Sequence, residues 1–375
     1  MRGIVRGTAK ITISILLIGT VASVSARDAF PAGQRVSALF FGEIDYRKRE
    51  NQGSDGFDHT QGVAQINVQL GQRFRAFTEL TATKRRNTDL RSEIERLSLH
   101  YTFSDQYKLS AGRYHTPIGY WNSAFHHGSW LQTTISRPQT AKFGSFVIPI
   151  HFLGALLEGN VGNSDFGYKV GYGNGRSEQI NDPGDIGDIG DGSNGDTAWL
   201  LAGSYRPLGR HRLNTGASLY RDKISPEFGP DIDEELLGVY LALEGEAPEV
   251  VLEYTYSKHE SSLSEGNVNS IYGQVAYRLP GKANKFKPYF RAEHLDVDDD
   301  DPLLGALGLD YKGYTAGTRW DFSSYVVLKA EVRREEFDNS GYRNSFWLQL
   351  AFVFDATSAR ESAAARRAAQ NRGAR

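Results

Sequence analysis

Between Gln106 and Leu157 the chain carries no Asp or Glu, yet it carries Lys108, Arg113, Arg137 and Lys142 together with His115, His126, His127 and His151. Basic groups without carboxylates beside them attract anions. The attraction is strongest in a narrow, low-dielectric passage, because an ion giving up water gains most there from a nearby opposite charge. Arg113, His115, His126, His127, Arg137 and Lys142 are therefore the candidate site, read as a constriction that prefers anions. A second reading stands beside it. Arg113 and Arg137 could pair with carboxylates from elsewhere, such as Glu79, Glu95 or Glu158, and simply pin the segment in place.

The adjacent imidazoles of His126 and His127 also suggest metal binding or general-base chemistry. No His-Glu-x-x-His, no Gly-x-Ser-x-Gly elbow and no cysteine accompanies them, so neither an enzyme nor a cofactor is expected. Ser123 and Ser129 lie close enough to keep a hydrolase as the least favoured alternative. Two acidic runs stand out elsewhere: Asp182, Asp185, Asp188, Asp191 and Asp196 in a Gly-rich stretch, and the nearly all-Asp segment Asp296 to Asp301. Neither has the alternating acids and closing Glu of a calcium loop. They read as solvated loops, with divalent-ion bridging to lipopolysaccharide as the weaker alternative.

The elements that must position these residues follow a period of two. Near residues 62–71, Ala64, Ile66, Val68 and Leu70 alternate with Gln65, Asn67 and Gln69, the pattern of a strand with one apolar and one wet face. In the last such segment Phe346, Leu348, Leu350, Phe352 and Phe354 share one face, and Trp347, Gln349, Ala351 and Val353 share the other. Counting along the chain gives about sixteen strands of roughly ten residues. Short turns alternate with longer connections at 47–61, 84–92, 114–150, 174–196, 223–234, 259–268, 297–310 and 335–344. That asymmetry predicts an all-β fold, a transmembrane antiparallel β-barrel with short turns on one side and long loops on the other. Aromatics near strand ends, among them Tyr46, Phe103, Tyr107, Trp199, Tyr205, Tyr277, Tyr311 and Tyr325, suit girdles at the two membrane interfaces. A soluble sandwich would use shorter strands.

Composition agrees with a barrel. The mean hydropathy of −0.46 is no obstacle, because a barrel strand shows lipid only every second residue. The absence of cysteine excludes a disulfide scaffold or a thiolate metal site. Arg2, Arg6 and Lys10 precede an apolar run that ends at Val24-Ser25-Ala26, so residues 1–26 read as a signal peptide, 27–354 as the barrel, and 355–375 as a basic Ala- and Arg-rich periplasmic tail. The full chain carries −2; three cations precede residue 27 and the tail carries a net +3, which leaves −8 on residues 27–354. An acidic mouth of that kind works against an anion filter.

In this order of strands the chain resembles the sixteen-stranded bacterial outer-membrane porins, whose third loop folds into the barrel and narrows the channel. The stretch Ala111-Gly112-Arg113-Tyr114-His115-Thr116-Pro117-Ile118-Gly119-Tyr120-Trp121 resembles a segment of the phosphate-selective porin O/P-like group. The resemblance implies an inward-folded third loop over 114–150 and a passive channel for small hydrophilic solutes in the cell outer membrane of a Gram-negative bacterium. Expected partners are outer-membrane lipid, lipopolysaccharide and small solutes or anions, with no nucleic acid. A homotrimer is compatible with such a barrel. An adhesin or structural barrel acting through its acidic loops is the main alternative.

Overall fold

The computed structural model describes residues 34–50, 55–125, 128–143, 145–176, 197–207, 212–226 and 229–356. Residues 1–26, the acidic run from Asp182 to Asp196, His126, His127 and the tail beyond Ala356 lie outside the described residues.

Sixteen antiparallel strands close into one barrel: β1 (Gln34–Arg49), β2 (Gly56–Leu70), β3 (Phe74–Arg85), β4 (Arg91–Thr102), β5 (Lys108–His115), β6 (His151–Asn160), β7 (Phe166–Asn174), β8 (Thr197–Tyr205), β9 (Leu213–Ile224), β10 (Ile232–Leu243), β11 (Glu249–Ser261), β12 (Glu265–Ala276), β13 (Phe286–Val297), β14 (Tyr311–Asp321), β15 (Val326–Phe337) and β16 (Arg343–Asp355). Each strand pairs with its neighbours in sequence, and β16 returns to β1 with Phe352 opposite Gly42 and Gln349 opposite Asp45. Closure leaves no row of unpaired N–H and C=O groups facing hydrocarbon, which is the condition for sheet to cross a bilayer.

The alternation sorts each strand into two faces. Leu97, Leu99, Leu201, Leu219, Ile271 and Leu348 point outward and are exposed, while their neighbours Ser98, Ser218, Tyr272 and Gln349 are buried. A soluble protein could not leave so continuous an apolar belt in water, whereas a barrel in lipid requires it. Rings cluster toward the strand ends: Phe74 on Tyr101 at 4.5 Å, Phe166 on Tyr205 at 4.6 Å, and Tyr172 on Trp199 at 4.5 Å.

Three expectations change. Tyr311 is no girdle residue; it is buried on the inner face and donates to Glu335 Oε1 at 3.0 Å. The connections are also shorter than the sequence pattern implies: 50–55 in place of 47–61, and 262–264 in place of 259–268. Beyond the apolar belt both faces become polar, so alternation fades, yet backbone pairing continues, for example Lys258 opposite Asn267. Finally, the Asp296–Asp301 run is not uniformly solvated. Asp301 is buried, accepts the N–H groups of Leu303 and Leu304 at 2.9 and 2.8 Å, and lies 2.7 Å from His259 Nδ1.

The connection between β5 and β6, residues 116–150, is here called L3. It contains a short helix, α1 (Tyr120–Ala124). The hydrophobic core lies inside the barrel: Ile118, Trp121, Val147, Ile148 and Ile150 of L3 pack with inward side chains that include Phe152, Leu200, Tyr220, Leu236, Tyr272 and Leu295.

Candidate functional site: the loop inside the barrel

An irregular segment carries N–H and C=O groups that must find partners once it leaves water. L3 finds them on the inner faces of β11 and β13–β15. Glu253 of β11 accepts Trp121 N–H at 2.6 Å and Tyr272 OH at 2.6 Å. Glu293 of β13 accepts Gln139 N–H at 2.6 Å, and Glu331 of β15 accepts Ile135 N–H at 2.9 Å. The carbonyls of L3 are served by cations on the same wall. Arg291 donates to Ser136 O at 2.8 Å and Arg137 O at 3.1 Å. Arg319 reaches Trp130 O at 2.6 Å and Gln132 O at 3.0 Å, and Lys329 reaches Ser129 O and Thr134 O. All six wall residues are buried, and bonds to charged groups are the stronger class, about 1.5–3 kcal/mol each. The acids and bases also satisfy one another, with Arg291 Nε 2.7 Å from Glu293 Oε1 and Arg333 Nε 2.5 Å from Glu331 Oε1.

Two glycines make the approach feasible. Gly119, at φ +71°, precedes α1, and a β-carbon there would lie 2.3 Å from Glu253 Oε2. Gly112, at φ +132°, sits at the root of L3, where a β-carbon would lie 2.1 Å from Leu97 O. Both positions combine a backbone conformation that glycine tolerates with space that only glycine leaves.

Of the candidate residues, Arg113 and His115 come together at the root of L3, with His151 beside them. Arg113 Nε donates to Glu95 O at 2.9 Å, and its Nη2 donates to His151 Nδ1 at 3.3 Å. His151 Nε2 lies 2.9 Å from Glu95 Oε2, and the His115 and His151 rings are 5.4 Å apart. Arg113 is thus engaged by Glu95, the pinning role considered for it. Arg137 and Lys142 lie farther along L3. The Arg137 guanidinium rests over Phe143 at 4.0 Å; burial pushes its pKa down to about 10, against the pull of Glu43, Glu95 and Glu79, so it stays charged at neutral pH. Lys142 Nζ is 3.4 Å from Gln139 Oε1 and lies over the Phe337 ring at 5.5 Å.

Burial separates the two halves of the lumen. The inner faces of β8–β14 are covered by L3, but on β1–β5 Arg75 and Arg85 are exposed, and Glu43, Arg47, Arg96 and His100 are half-buried. The open half is rich in arginine, a feature sequence reasoning passed over. Arg333 stacks on Trp347 at 4.0 Å, and Arg47 and Arg49 approach the same ring at 5.7 Å. Arg47 Nη2 pairs with Asp58 at 2.8 Å, and Arg96 pairs with Glu79. Face assignment alone, by the parity of each strand, would have placed these arginines in the lumen.

The geometry is that of a barrel with a loop fastened to one wall and charged side chains left accessible on the other. Residues 49–359 match the model of the family described as "putative beta-barrel porin-2, OmpL-like". No curated protein matches the chain. Solved structures that it resembles include OmpT of Vibrio cholerae in its trimer form (10% identity, TM-score 0.60, covering 86% of this chain and 100% of that one). An anion-selective porin from Comamonas acidovorans matches at 11% identity and TM-score 0.58, covering 86% and 100%. OprB of Pseudomonas putida matches at 11% identity and TM-score 0.59, covering 86% and 94%. At such identities these likenesses speak to the fold.

Proposed function

Starting from a chain that belongs to the OmpL-like β-barrel porin-2 family of the Gram-negative outer membrane, we propose that it is a passive channel for small hydrophilic solutes with a preference for anions. The observation that carries this reading is the division of the lumen: L3 covers the inner faces of β8–β14 and leaves open a passage along β1–β5, where arginines outnumber their acidic partners. Arg137 and Lys142 face that passage from L3 in this reading, and Glu43, Glu79 and Glu95 temper the field rather than reverse it. Arg113 and His115 serve chiefly to set the root of the loop.

The preference is for anions in general. The likeness of residues 111–121 to phosphate-selective porins is confined to the root of L3, where Arg113 is tied to Glu95 and His151. By the same reading residues 1–26 direct export, 355–375 form a periplasmic tail, and three copies assemble, as OmpT does in its trimer form. The test is the reversal potential of single channels in a salt gradient. A potential of the sign for anion permeation supports the proposal, and a cation-selective or non-conducting barrel overturns it.

A further inference from the structure

Beneath α1, at the end of the barrel where β4 turns into β5 and β6 into β7, lies a second hollow. Its volume is about 390 Å³, within the roughly 300–1,000 Å³ of small-molecule sites. Small inward residues carve it: Gly167, Ala202, Ser204 and Ser218 line it where larger side chains would fill it. L3 roofs it with Tyr120, and the core of Ile118, Trp121, Leu200 and Tyr220 closes the barrel behind it. The hollow lies toward the side of the short turns.

Its polar lining is ordered. Glu244 accepts Arg206 Nη2 at 2.6 Å and Asn214 Nδ2 at 2.8 Å, and Asn214 Oδ1 accepts Tyr240 OH at 3.0 Å. The Tyr120 and Tyr240 rings lie 5.7 Å apart at 39°. On the opposite wall Glu158 pairs with Lys169 Nζ at 3.6 Å, and Lys108 stands directly across from Glu158 in the ladder. Lys108 itself makes no side-chain hydrogen bond or ion pair among the described residues, so three cations face two carboxylates, and the surplus charge sits on a half-buried lysine.

We propose that this hollow is a binding site for a hydroxylated monocarboxylate of sugar-acid type, with its carboxylate on Lys108, its C–H face on Tyr120 and Tyr240, and its hydroxyls on Asn214, Ser204 and Ser218. An aromatic pair supplies apolar ring surface, the fixed Asn and Ser groups supply hydrogen bonds that a simple anion would leave unused, and one spare cation matches one negative charge. The site rests on the reading of the protein as a solute channel and gives it a station on the exit side.

The test is titration calorimetry on the full-length refolded protein in detergent, with sodium galacturonate, galactose and sodium acetate as probes. Galacturonate should bind at least about tenfold more tightly than galactose, the worth of one charge-assisted contact, and acetate should show no saturable heat. Lys108→Met should remove the advantage of galacturonate while leaving galactose unchanged, and Tyr240→Ala should weaken both sugars. Equal affinity for galacturonate and galactose, saturable acetate binding, no binding of any probe, or indifference to Lys108→Met overturns the proposal. Conductance of the same preparation in planar bilayers reports the channel function separately, so a conducting barrel that binds no sugar acid rejects the site alone.

Discussion

Glu331 shows what a single side chain does in this lumen. It accepts two consecutive N–H groups of L3, from Ile135 and Ser136, and Tyr289 OH at 2.9 Å, and it balances Arg333. Removing one partner of such a buried set leaves charge and donors stranded, a loss of about 3–5 kcal/mol. Glu331→Ala should therefore lower the thermal midpoint and give larger, noisier single-channel currents as L3 loosens; unchanged conductance and unchanged stability would refute the clamp. Arg137 and Lys142 act differently. If they set the charge preference, Arg137→Ala with Lys142→Ala should shift the reversal potential toward cations while conductance persists. Arg113→Ala should instead perturb the seat of the loop, because its guanidinium is bound to Glu95 and His151, and its readout is stability more than selectivity. An equal effect of all three on reversal potential would contradict this division.

Among elements, β16 was the easiest to read and also exposes the limit of reading. Its two faces are as the alternation implies, so Leu350→Arg places a cation against lipid and should cost about 2–4 kcal/mol if it lies near the midplane. Gln349 does face inward, but it is buried between Lys329 Nζ at 2.9 Å and Asp45 Oδ1 at 3.0 Å. It is no free position for an arginine. Asn67 on β2, inward and half-buried, is the better control: Asn67→Arg should fold in lipid where Leu350→Arg does not, as judged by heat-modifiable gel mobility, and the opposite ranking would mean the faces are reversed. Strand order and face assignment were legible because each depends on local alternation and connection length, and the inward loop was implied by the resemblance to sixteen-stranded porins. What L3 touches was not, since Glu253, Glu293 and Glu331 are brought to it from more than a hundred residues away, and nothing local marks them as different from any other inward acid. The arginines of β1–β4 were legible in principle, once parity is applied to charged as well as apolar positions. Tyr311 was misread because a tyrosine near a strand end suits either face.

At the scale of the whole barrel, formal charge is a poor guide to selectivity. Residues 27–354 carry −8, yet several acids are spent on holding L3, and the arginines that remain accessible line the open half. If so, the preference for anions should be strongest at low salt and fade as salt rises, because the screening length falls from about 10 Å at 0.1 M to about 3 Å at 1 M. Reversal potentials measured at a fixed concentration ratio across that range check this, and a preference independent of ionic strength would point to a filter of size rather than of charge.

The wall holds L3 largely through the backbone: amides from Trp121 to Gln139 and carbonyls from Ser129 to Arg137 are most of what the six charged side chains grip, beside the hydroxyls of Thr134 and Ser136. A grip on main chain is blind to residue identity. The barrel thus behaves as a socket and the loop as an interchangeable insert, whose outward-facing letters can be rewritten by drift or selection without unseating it. Change in permeability would then be cheap in this lineage and change in the socket expensive, so the variable positions of related chains should gather on the insert while its six anchors stay constant.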